Sequence, residues 1–93
     1  MGSRVTLELF ESIQHGSESI TELSLRRLKA KDLKLIRDPD NITMTEQIDL
    51  ISKLSGQPKS VIEELDAVDV AKAGEIIRGF TETGPKIGAS SSD

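Results

Sequence analysis

The sequence predicts an α+β domain, with an N-terminal β-hairpin followed by three to four short α-helices. Three observations carry this. Residues 4–10, RVTLELF, place Val5, Leu7 and Leu9 on one side and Thr6, Glu8 and Phe10 on the other, the period of a half-buried strand. Residues 20–25, ITELSL, alternate again, with Leu23 and Leu25 on one face. Beyond residue 43 the apolar positions recur at three and four, the period of a helix, and caps and stops divide that region into segments.

The polar stretch between the two alternating runs contains Gly16, so the runs read as a hairpin with a loop around residues 15–19. Two strands alone are marginal in water, so the hairpin must pack on helices or pair with another chain. Residues 30–37, AKDLKLIR, predict a helix of at most two turns, with Asp32 capping it or lying in its first turn. The break at 38–41, DPDN, follows. Thr43 and Glu46 have the spacing of a capping box, and the helix they start, about 44–55, places Met44, Ile48, Ile51 and Leu54 on one stripe. Gly56 ends it and Pro58 blocks its continuation.

SVIEELDAVD, residues 60–69, holds four carboxylates in ten positions. Ser60 with Glu63, and Asp66 with Asp69, both match capping-box spacing. The expectation is a short helix, a corner near Asp66 and a last helix of about 67–79. Three of the four carboxylates then sit at helix ends, where backbone N–H groups favour negative charge, and Glu64 is solvated. Val70, Ala73, Ile77 and Phe80 mark the core face of the last helix. Gly74 inside it costs about 1 kcal/mol against alanine, and reads equally as a site of close approach or as tolerated drift. The domain is expected over 4–80, with TETGPKIGASSSD, residues 81–93, as a flexible tail.

Composition narrows the chemistry. Ninety-three residues suffice for one domain with a thin core. There is no cysteine, which excludes disulfides and thiolate catalysis, and no apolar run approaches the ~18 residues of a membrane span. His15, the only histidine, falls at the expected hairpin tip, where solvation is its ordinary fate. No zinc ligand set or glycine-rich phosphate loop is present, and DPDNITMTEQID imitates a calcium loop without its turn glycine. No catalytic residue, metal or cofactor is therefore expected. The net charge is −4, so a nucleic-acid surface would need segregated cations. Arg26, Arg27, Lys29, Lys31, Lys34 and Arg37 do cluster, and helices 44–55 and 58–65 are joined by a short glycine-containing turn. A small helix-turn-helix regulator thus stays open as an alternative, although its second helix would present Glu63 and Glu64 to DNA.

The order of elements resembles a family. Leu25, Arg26, Lys29, Ala30, Asp32 and Leu33 close the hairpin. Leu54 to Pro58 close the capped helix. Ser60, Val61, Ile62, Leu65 and Asp69 lead into a last helix that ends near Phe80. Together these motifs, spread over residues 4–80, resemble the small tail assembly chaperones of long, contractile-tailed, Mu-like bacteriophages; Leu28 stands where that pattern has proline. The resemblance implies a non-enzymatic factor of the host bacterial cytoplasm. Such a factor binds the tape measure protein, helps tail tube protein assemble around it, and is absent from the mature virion. It also implies a longer product made by −1 frameshifting, for which a codon run such as GGC CCA AAG at residues 84–86 would be permissive. A minor structural component of the virion is the further alternative. Apolar residues left over from the core stripes are the candidate partner-binding set: Leu50, Ile62, Val68 and Ile76. The edges of a two-stranded hairpin also invite self-association into a homo-oligomer. No nucleic acid or membrane partner is expected.

Overall fold

In the computed structural model, which describes residues 4–38 and 40–82, the chain runs β1 (Arg4–His15), β2 (Glu18–Arg26), α1 (Ala30–Leu33), α2 (Met44–Ser55), α3 (Lys59–Ile62) and α4 (Ala67–Glu82). The predicted fold class is the observed one: an antiparallel hairpin and a series of short helices.

The hairpin is longer than its alternation suggests. Its strands reach His15 and Glu18, which pair across a two-residue turn of Gly16 and Ser17. Gly16 has φ +64° and Ser17 does not enter the positive region. Glycine alone at the first central position is the pattern of a type II′ turn, whose twist matches that of the strands. The register then slips. Leu7 faces Leu23 and Ile13 faces Ile20, so Leu9, Phe10, Glu11 and Ser12 of β1 lie opposite Thr21 alone. This irregular bulge shifts the phase of the pattern, so that Ile13 and Ile20 are buried beside Leu7, Leu23 and Leu25.

That hairpin face packs on one layer of helical residues: Leu50, Ile51 and Leu54 of α2, Val61 and Ile62 of α3, Leu65, and Ala73 and Ile77 of α4. A fully buried Leu or Ile side chain contributes about 1.5–3 kcal/mol. This shared layer therefore outweighs any exposed ion pair, such as Lys59 with Asp49 at 2.9 Å, in holding sheet to helices.

The Thr43–Glu46 capping box forms as predicted: Glu46 N–H donates to Thr43 Oγ1 at 3.1 Å and Thr43 N–H to Glu46 Oε1 at 3.0 Å. Glu46 also accepts from Arg37 N–H at 3.2 Å, and these backbone donors hold its carboxyl below the usual range. Gly56, at φ +75°, closes α2 in the left-handed cap. α1 is a single turn, within the expected limit of two. Three expectations need correction. The core stripe of α2 is Leu50, Ile51 and Leu54 rather than one beginning at Met44, which is 60% exposed. The Ser60–Glu63 capping box does not form: Pro58 is the N-cap of α3, and Glu63 lies at its other end. α4 extends to Glu82, so Thr81 and Glu82 belong to the helix, and the rest of the expected tail lies outside the described residues.

Gly74 is a site of close approach. A Cβ there would stand 2.7 Å from Gln47 Nε2, whose amide donates to Val70 O at 3.2 Å. Gly74→Ala gains about 1 kcal/mol of helix propensity, and displacing the amide forfeits about 0.5–1.5 kcal/mol. Thermal melts should therefore show little net change. In a Gln47→Ala background the same substitution should stabilise by about 1 kcal/mol.

A candidate partner-binding groove

The segment between β2 and α2 is tied down by a buried carboxylate. Asp32, 2% exposed, accepts two hydrogen bonds from the Arg26 guanidinium, at 2.9 and 3.0 Å, and one from Lys29 N–H at 2.8 Å. The bidentate Arg26 contact holds the Asp32 carboxyl below its usual range, against the burial that would raise it. A lowered carboxyl contributes stability above its unfolded value, near ~3.9, and loses that contribution as pH falls through the folded value. Denaturant midpoints should fall on acidification below about pH 4, and Asp32→Asn should be less stable at neutral pH with a flatter fall in that range.

Beside α1 lies a groove of mixed polar and apolar lining. Leu28, Leu33, Ile36 and Ile42 wall one side of a cavity of about 550 Å³, and Leu50, Gly74 and Ile77 belong to its α2 and α4 side. Asp40, Asn41, Gln47, Arg78 and Thr81 supply its polar lining. Leu33 is 45% exposed and Ile42 36% exposed, and Met44 stands close by in sequence. At the end of α4, Arg27 lies over the Phe80 ring at 5.1 Å and donates to Phe80 O at 3.3 Å, which fastens the helix beside the groove.

The sequence-derived partner set is scattered by the fold. Leu50 and Ile62 are both fully buried core residues; Leu50 borders the floor of the groove and Ile62 does not line it. Val68 is exposed at the start of α4, and Ile76 is half-buried against the core. The residues that the reasoning missed, Leu33, Ile36 and Ile42, sit on the break between β2 and α2. Their signal was a run of branched apolar residues in a segment too short to bury them.

The acidic stretch is helix and sheet chemistry. Asp66 caps α4, accepting from Val68 N–H at 2.9 Å, and Glu63 and Glu64 are exposed. Asp69 departs from the expected capping box. Fully buried, it accepts from Phe10 N–H at 2.8 Å and Glu11 N–H at 3.3 Å, the donors that the β1 bulge leaves without a ladder partner. Among the described residues no group of three or more acidic or histidine side chains is placed to hold a metal ion, and no helix is long and apolar enough to cross a membrane.

Comparison with known families identifies the domain that carries this groove. The family model of phage tail assembly chaperone proteins, E, or 41 or 14, matches residues 6–82. The chain belongs to the phage tail assembly chaperone family. The match runs from Thr6, within β1, to the last described residue of α4. Membership implies a non-enzymatic role in tail assembly. No curated protein and no solved structure matches the chain significantly.

Proposed function

We propose that this tail assembly chaperone binds helical segments of the tape measure protein in the groove between α1, α2 and α4, and so promotes assembly of the tail tube around it. The observation that carries this is the exposed apolar wall of Leu33 and Ile42 above a built cavity. Long helical proteins with exposed apolar stripes aggregate until covered, and a groove of this kind takes one face of an amphipathic helix. The net charge of −4 keeps a covered complex soluble. The helix-turn-helix alternative loses its main support: α3 is a single turn with Val61 and Ile62 buried, too short to serve as the recognition helix after α2.

Co-expression with the tape measure protein of the same gene cluster tests the reading. Soluble co-elution supports it; a tape measure protein that stays insoluble, with no complex formed, rejects it. The same proposal puts the chain in the host cytoplasm and outside the finished particle, so mass spectrometry of purified virions should not find it; finding it there would favour a structural component. A longer frameshifted product is part of this reading. Residues 84–86 lie outside the described residues, and the codons of the gene at these positions decide whether the permissive run GGC CCA AAG exists.

A further inference from the structure

The five polar residues that line the groove divide into two kinds. Three are spent within the chain. The Gln47 amide donates to Val70 O at 3.2 Å, Asn41 Nδ2 to Asp38 Oδ2 at 3.3 Å, and Thr81 Oγ1 to Arg78 O at 2.9 Å. Arg78 and Asp40 are the exceptions. Both are exposed, and among the described residues neither side chain makes a hydrogen bond or an ion pair, with the other or with any third group.

The fold gives these two charges no task of its own. Asp40 joins the turn at 38–41 through its backbone N–H, which donates to Asp38 Oδ1 at 3.0 Å, and not through its carboxylate. Arg78 lies short of the last turn of α4, so the favourable placing of a cation at a helix end does not account for it. The two stand on different elements that border the groove, Arg78 on α4 and Asp40 on the segment between α1 and α2. An occupant that seats itself on Leu33 and Ile42 excludes water from the lining and strengthens every charge interaction there. Each covered charge then needs an opposite charge from the occupant, because a buried charge without a partner is strongly unfavourable.

We propose that the groove selects an amphipathic helix with a carboxylate on the flank beside Arg78 and a cation on the flank beside Asp40, its apolar stripe lying on Leu33 and Ile42. The same pair sets the direction of the bound helix. Turned end for end, that helix brings its cation to Arg78 and its carboxylate to Asp40, and like charges facing each other across an interface oppose binding. Leu33 and Ile42 cannot set a direction alone, since apolar burial is non-directional. The inference rests on the groove reading above and names the chemistry and orientation of the helix held there.

Fluorescence anisotropy with labelled peptides tiled over the tape measure protein tests it, using wild type, Arg78→Glu, Asp40→Lys and the double variant. Circular dichroism of the variants should match wild type, because neither side chain contacts its own chain among the described residues. The peptides that wild type binds should carry a carboxylate on one flank of the apolar stripe and a cation on the other. Each single substitution should weaken their binding about tenfold. The double variant should prefer, again by about tenfold, a peptide whose acidic and basic flanking residues are exchanged. Equal affinity of all four proteins for the original peptide, or a double variant without that preference, would overturn the proposal. Leu33→Asp separates the two readings: if it abolishes binding while the charge variants bind as wild type, the groove stands and the charge rule falls. A wild type that binds no peptide removes the groove reading and the charge rule with it. Sedimentation velocity on the chain alone reads the competing occupant, for self-association that Arg78→Glu abolishes would seat a second copy in the groove and overturn the proposal too.

Discussion

Asp69→Ala is expected to destabilise the domain by roughly 2–3 kcal/mol, which for a chain of this size lowers the melting temperature by about 10–20 °C. The carboxylate is fully buried and serves two backbone donors from another element. Removing it strands Phe10 N–H and Glu11 N–H at the bulge and opens a void between β1 and α4. Asp69→Asn should recover only part of the loss. An amide has one acceptor oxygen, and its NH₂ would face the second N–H. Thermal melts of the three proteins check this. If Asn matches wild type, one hydrogen bond suffices and the second contact is incidental.

Leu33→Asp combined with Ile42→Asp is expected to abolish co-elution with the tape measure protein while leaving the fold in place. Both side chains are partly exposed already, so charging them costs the folded state little. A carboxylate in the apolar wall has no partner once a helix covers it, and an unpaired buried charge is strongly unfavourable. Circular dichroism and melting temperature near those of wild type, with complex lost, is the predicted pair of results. Charging Ile62 would not be informative, since a carboxylate at a 1% exposed core position would unfold the domain.

Local grammar made much of this fold legible. Thr43, Glu46, Gly56 and Pro58 act through contacts within a few residues, and α2 runs 44–55 as they require. The last helix is likewise readable from Ala73 and Ile77, which are buried. What sequence could not show are the contacts made across the chain. The bulge in β1 depends on Asp69, 59 residues away from Phe10, and no periodicity reveals such a partner. The same contact turned a supposed helix-cap residue into a staple between layers. Leu50 and Ile62 looked surplus because one stripe per helix was taken as enough; a hairpin with five buried branched residues needs more helical cover than that. The groove was hidden for the opposite reason. Leu33 and Ile36 precede the break at 38–41 and Ile42 follows it, and only the fold brings them into one lining.

The most direct test of the account is to place a photo-crosslinking residue at position 33 in the chain, co-expressed with the tape measure protein, and at position 6 on the hairpin's outer face as a control. Irradiation should yield an adduct to a helical segment of the tape measure protein from position 33 and little from position 6. An adduct from position 6 with none from position 33 would contradict the groove as the binding site.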